Sequence, residues 1–193
     1  MTTPSPGRPY AATLEIDYPD QPLDRLSTFF RLIWIIPIVI IQSLLSSGVA
    51  FATGLMIVFR VSYPRWWFDF ARETARLSAR VGAYGALMTD RYPSTTDEQS
   101  VHLEIRYPNV EQDLNRWMPL VKWFLAIPHY IVLWFLWIAA AVAIVIAWFA
   151  ILFTGRYPHG LLDFVVGVGR WTVRIAAYMA LLVTDEYPPF SLT

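Results

Sequence analysis

The chain has 193 residues, of which 56% are hydrophobic and only 16% charged, and its 15 basic and 15 acidic residues cancel to a formal net charge of +0. A soluble domain carries roughly a quarter of its residues as charge, so the composition excludes an ordinary water-facing surface, and the zero balance excludes the basic footprint of a nucleic-acid binder. Cysteine is absent, which excludes a disulfide framework, a thiolate metal site and a cysteine nucleophile.

Residues 1–9 form a polar tail with Pro4, Pro6 and Pro9. The first apolar run begins near Phe29, behind Glu15, Asp17, Asp20 and Asp24, and no basic segment leads into it. No cleavable signal peptide is therefore expected, and the apolar segments belong to the fold. From residue 10 onward the chain is an internal duplication. Tyr-Pro occurs as Tyr18-Pro19, Tyr63-Pro64 and Tyr92-Pro93, then again as Tyr107-Pro108, Tyr157-Pro158 and Tyr187-Pro188. Around these marks Leu14-Glu15-Ile16 matches Leu103-Glu104-Ile105, Ile36-Pro37 matches Ile127-Pro128, and Thr89-Asp90 matches Thr184-Asp185. Copy 1 covers 10–93, a linker 94–98, and copy 2 99–193.

Each copy opens on a period-two segment. Leu14, Ile16 and Tyr18 alternate with Glu15 and Asp17, and Val101, Leu103, Ile105 and Tyr107 alternate with His102, Glu104 and Arg106, which predicts a short strand ended by proline. A lone strand leaves its backbone unpaired, so the two strands are expected to pair with each other.

A long apolar run follows, Leu32 to Phe59 in copy 1 and Trp117 to Phe153 in copy 2. A membrane-spanning helix needs about 20 residues, and these runs are longer. Arg25 and Arg31 precede the first and Arg60 and Arg65 follow it; Arg116 and Lys122 edge the short lead-in of the second and Arg156 follows it. Basic flanks favour the cytoplasmic side, so a transmembrane helical hairpin is expected, with the polar stretch Gln42 to Gly48 as its turn in copy 1. A single long tilted helix is the alternative, since Trp137-Ile138-Ala139-Ala140 offers copy 2 no polar turn. Pro37 and Pro128 predict a kink in both copies.

Each copy closes on an amphipathic helix, Trp66 to Met88 and Leu161 to Val183. Asp69, Glu73, Arg76, Arg80 and Tyr84 fall on one face, matched by Asp163, Gly167, Arg170, Arg174 and Tyr178. The charges suit an interfacial placement. Arg76 with Arg80, and Arg170 with Arg174, are like charges four residues apart, a small destabilisation kept twice. Two readings explain it. The guanidinium groups hold anionic lipid or a cytoplasmic partner, or they pair internally with Asp69, Asp163, Asp90, Asp185, Glu15 or Glu104.

His102, His129 and His159 are matched by Thr13, Ile38 and Arg65 and lack ligand spacing, so neither a metal nor another cofactor is expected. No phosphate loop, nucleophile elbow or zinc-protease motif occurs, and the chain is expected to be non-enzymatic. The apolar runs carry no Asp, Glu, Lys or Arg between 32 and 59 or between 123 and 153, which counts against an ion-coupled path through either run alone.

The phrase Trp148-Phe149-Ala150-Ile151-Leu152-Phe153-Thr154-Gly155-Arg156-Tyr157-Pro158, then Leu162-Asp163-Phe164-Val165-Val166-Gly167-Val168, Arg170-Trp171, Arg174 and the ending Leu182 to Phe190 resemble the bacterial membrane proteins that carry the domain of unknown function 4389. Copy 1 fits more loosely, with Phe59 to Pro64 in place of the phrase around Arg156 and Arg72, Glu73 and Arg76 making its helix more polar. The resemblance implies an integral membrane protein, often with tandem copies, and no catalytic residues. The expected role is an accessory, scaffold or lipid-organising component of the bacterial cytoplasmic membrane with cytoplasmic termini. Its expected partners are membrane lipids, anionic ones among them, and a protein partner or a second copy of the chain, but no nucleic acid. A small transporter, channel or lipid-moving subunit with a path between the copies is the alternative. If both copies share one orientation, their pseudo-two-fold axis runs along the membrane normal and the paired strands are antiparallel.

Overall fold

The computed structural model describes residues 10–19, 21–97, 99–110 and 114–193; the expected tail, residues 1–9, lies outside them, as does Glu98 of the linker. The elements are β1 (Ala12–Ile16), α1 (Arg25–Trp34), α2 (Ile36–Ser46), α3 (Val49–Arg60), α4 (Arg65–Gly85), β2 (Val101–Ile105), α5 (Met118–Leu125), α6 (Ile127–Thr154) and α7 (His159–Met179). The alternating segments are strands, and they pair antiparallel with Leu14 opposite Leu103 at the centre of the ladder. The inward set Leu14, Val101, Leu103 and Ile105 is buried, whereas Thr13, Glu15, His102 and Glu104 are exposed.

Pro37 and Pro128 interrupt the apolar runs as expected. Each sits in the first turn of a new helix, α2 or α6, where its missing N–H costs no hydrogen bond, and Ile35 or Ala126 forms the joint behind it. Asp24 caps α1, accepting from the N–H groups of Leu26 at 2.7 Å and Ser27 at 3.3 Å.

The helical hairpin expected within each run is not formed. In copy 2 the run continues as one helix of 28 residues, α6, because Trp137 to Ala140 contains nothing that breaks a helix. In copy 1 Gly48 takes a left-handed conformation (φ 83°), which interrupts the helix between α2 and α3 without reversing the chain. The hairpin is made instead with the helix that closes each copy, α4 or α7. Gln42 Nε2 donates to Ser78 Oγ at 2.8 Å and Trp67 Nε1 to Thr53 Oγ1 at 2.8 Å, so α4 runs back along α3 and α2. In copy 2 α7 runs back along α6, with Trp171 donating to His129 Nδ1 at 3.2 Å.

The copies are interleaved. β1 of copy 1 packs on α7 of copy 2, and β2 packs on α4. Arg25 Nη2 donates to the Phe153 carbonyl at 3.3 Å, and the equivalent Arg116 donates to the Val58 carbonyl. The start of one apolar run therefore lies beside the end of the other. The equivalent contacts relate the copies by a pseudo-two-fold axis through the Leu14–Leu103 pair, with α4 and α7 on either side of it and α2–α3 and α6 packed beyond them. Along it the molecule has three layers: the two-stranded sheet, then α4 with α7, then the apolar helices.

The main core lies under the sheet and includes Leu14, Leu103, Phe68, Ala71, Val165 and Trp171. Two stretches, Ile36–Arg60 (25 residues) and Ile127–Thr154 (28 residues), are long and apolar enough to cross a membrane, and only 17% and 22% of their most apolar windows are buried in the molecule. A core helix would be mostly buried; here Phe51 (72% exposed), Trp134 (62%) and Phe135 (61%) face outward.

Candidate functional site

Two ionic clusters related by the axis hold the ends of the helices together. Arg31 on α1 and Lys122 on α5 each lie five residues before an Ile-Pro step, and each side chain is 1% exposed. Arg31 pairs with Asp90. Lys122 Nζ lies 2.7 Å from Asp185 Oδ1. Each cation also donates to the carbonyl one residue earlier, Arg31 to Thr89 at 2.7 Å and Lys122 to Thr184 at 2.7 Å. Each lies against a tyrosine ring, Arg31 at 4.6 Å from Tyr84 and Lys122 at 4.8 Å from Tyr178. The aspartates accept in addition from backbone N–H groups, Asp90 from Asp24 at 2.7 Å and Asp185 from Asn115 at 2.5 Å.

The turn that presents each aspartate runs through a left-handed leucine, Leu87 (φ 66°) or Leu182 (φ 55°), a conformation that side chains rarely adopt. Burial pulls the Lys122 ammonium down from its usual range while the charge of Asp185 pushes it back up. Burial, and then the Asp185 and Tyr187 charges, push the Tyr178 hydroxyl up to about 12.

Asp90 and Asp185 thus pair with cations of the first helices, not with the arginines of α4 and α7. Those arginines hold the strands and the segments behind them. Arg76 Nε donates to the Leu103 carbonyl at 3.0 Å, and Arg170 Nε to the Leu14 carbonyl at 3.1 Å, the equivalent bond. Arg76 also meets Glu73 at 2.9 Å and Glu104 at 3.3 Å. Arg80 donates to the Ser94 carbonyl, and Arg174 to the carbonyls of Thr193 and, at 3.4 Å, Ser191. Asp69 meets Arg72 at 3.3 Å, one turn along its own helix. Asp163 is exposed and makes no ion pair among the described residues.

The Tyr-Pro marks fasten one copy to the other. Tyr18 donates to the Tyr157 carbonyl and Tyr107 to the Tyr63 carbonyl, while His159 stacks on Tyr18 at 3.9 Å and Arg65 covers Tyr107 at 4.3 Å. Sequence reasoning missed Arg31 and Lys122 as pairing residues. The signal was available: both copies keep a cation five residues before Ile-Pro, at the lead-in to the apolar run.

On the axis itself, between α4 and α7, lies a cavity of about 290 Å³. Its walls are equivalent small residues of the two helices, Ala75 with Gly169 and Ala79 with Val173, and the inward side chains of the strands form its floor. Ser46 and Trp137, the equivalent midpoints of the two apolar runs, lie at its other end.

The family model for the domain of unknown function DUF4389 matches residues 25–96 and again 116–191. The chain belongs to this family and carries two copies of its domain, each beginning after the strand. No curated protein and no solved structure matches the chain.

Proposed function

We propose that the protein is a non-enzymatic membrane component that sinks its apolar helical layer into one leaflet and keeps its sheet in water, acting there as a lipid-organising scaffold. The observation that carries this is the opposition of the two ends of the pseudo-axis. One end is the outer face of the sheet, with Glu15, His102 and Glu104 exposed; the other is the layer of α1–α3, α5 and α6, with Leu32, Phe124 and Phe153 each more than 70% exposed. If α2–α3 and α6 crossed the bilayer, the axis would lie in the membrane plane and the charged strand face would meet lipid near mid-depth, at several kcal/mol per charge. With the axis along the membrane normal, the helices lie in the plane and the charges remain hydrated.

In this orientation Arg25, Arg60, Arg116 and Arg156, at the ends of the apolar helices, border the leaflet and meet anionic head groups. The sheet and both termini face the cytoplasm, the side that basic flanks favour. Arg76, Arg80, Arg170 and Arg174 have a second use open to them, contact with lipid or a cytoplasmic partner beside the bonds they make to the backbone.

Single cysteines at Ser62 and Arg156, in the loops that end the two apolar runs, test the orientation, since the native chain has none. Both are expected to react with an impermeant thiol reagent from the same side of the membrane. Reaction from opposite sides would overturn the in-plane arrangement. It would favour the second reading, a spanning subunit of a small transporter or channel, to which the 25- and 28-residue lengths of the apolar stretches lend support. That subunit would need its charged strand face covered or lining a path.

A further inference from the structure

We infer that the cavity on the pseudo-axis takes one acyl chain of a membrane phospholipid, inserted methyl end first from the bilayer; this rests on the membrane placement proposed above. The interior offers nothing to a polar solute. Besides Ser46, whose hydroxyl accepts from Gln42 Nε2 at 2.9 Å, Thr74, Ser78 and Thr172 reach it, but each of these three donates to its own helix, to the carbonyls of Phe70 (2.9 Å), Thr74 (2.9 Å) and Val168 (2.8 Å). A buried water needs two to four polar partners, so such a space stays dry. At about 290 Å³ it is also well above the voids that close packing leaves, and roughly twice an apolar cavity of about 150 Å³ that admits benzene.

The mouth decides the occupant. We place it where Ser46 and Trp137 of the apolar runs line the cavity, since Trp137 is 42% exposed and the surrounding surface is the apolar layer. The far end is closed by the inward side of the sheet, where Leu14 is 6% and Leu103 3% exposed. A hydrocarbon chain can therefore enter from the leaflet without crossing water, whereas a head group would meet an apolar rim and stay outside. The floor stops the chain end between α4 and α7.

The test uses the full chain in phosphatidylcholine vesicles containing a phospholipid with a diazirine at the end of one acyl chain. Irradiation is expected to label residues around Ala79, Val173 and Leu103, and Ala79→Leu or Ala176→Leu, which fill opposite walls, should each lose that labelling while keeping the label on the outer face near Phe135. Labelling of the outer face alone in the native chain would overturn the cavity's occupancy and leave the membrane placement intact. A chain that is washed off the vesicles and labelled nowhere would instead sink the membrane placement. A free fatty acid carrying the same diazirine distinguishes the source: stronger cavity labelling by it than by the phospholipid would overturn the phospholipid as occupant. Cavity labelling that survives both filling substitutions would also count against the assignment.

Discussion

The hydroxyl of Tyr18 donates to the backbone carbonyl of Tyr157 at 2.6 Å, and Tyr107 makes the same bond to Tyr63, also at 2.6 Å. Both bonds join the end of one copy's strand to the loop before the other copy's amphipathic helix. Tyr18→Phe and Tyr107→Phe should each destabilise the fold by about 1 kcal/mol, the usual net worth of such a bond. The sites share no partner, so the double variant should lose about the sum. Thermal unfolding in a fixed detergent measures this. A double variant no worse than either single one would mean that the two fastenings do not act independently.

The Lys122–Asp185 pair should be the more costly of the two ionic clusters to break, because Asp185 is 16% exposed against 30% for Asp90. Removing one partner of a buried pair leaves an uncompensated charge, at about 3–5 kcal/mol, whereas removing both is far milder. Asp185→Asn should therefore be strongly destabilising, and Lys122→Met added to it should restore much of the loss. The comparison is a double-mutant cycle on unfolding midpoints. No recovery in the double variant would show that the carbonyl of Thr184, not the carboxylate, is the partner that matters.

Leu87 and Leu182 invert a familiar order. At an ordinary buried leucine, glycine is worse than alanine by about 0.5–1 kcal/mol through chain entropy. At φ 66° and 55° alanine keeps the left-handed strain of about 1–2 kcal/mol while glycine relieves it. Both substitutions lose the isobutyl end of the buried side chain, and the strain is the larger remaining difference, so Leu182→Gly should be more stable than Leu182→Ala, and likewise at Leu87. Denaturation midpoints in the opposite order would mean that the backbone there relaxes without cost.

Replacing Arg170 and Arg174 together by Gln separates two roles. The Arg170 bond to Leu14 and the Arg174 bonds to the last residues hold the fold, so the unfolding temperature should fall in neutral lipid. The extra stability conferred by adding anionic lipid is a binding effect and should persist. That gain should shrink when Arg25 and Arg116 are replaced instead. If the first double variant abolishes the gain and leaves stability in neutral lipid untouched, the inner arginines are the lipid ligands.

The duplication, the paired strands and the proline joints were legible, because each rests on local chemistry: the alternation around Leu14 and Leu103, the missing N–H of Pro37 and Pro128. The course of the apolar runs was not. Gln42 to Gly48 has the composition of a turn, but hydropathy does not distinguish a helix interrupted at Gly48 from one that doubles back. The partners of Asp90 and Asp185 were hidden for another reason. Two similar halves offer every acid two similar sets of cations, and only the tertiary path through Leu87 and Leu182 brings them to Arg31 and Lys122. The cavity left no mark in the sequence beyond small residues at matching helical positions, which in isolation signify close packing as readily as empty space.

The interleaving of strands and helices is what two separate copies of one domain would make on meeting as a homodimer, each lending its strand to the other. Joining them in one chain frees them from being identical where they meet. In a true dimer every residue on the axis faces its own kind, so the mouth would be flanked by two serines or by two tryptophans. Here Ser46 stands opposite Trp137, one side small and the other bulky. Gene fusion thus permits a lopsided aperture that strict symmetry forbids, and each half can drift toward its own task, as the polar α4 and the greasier α7 already have.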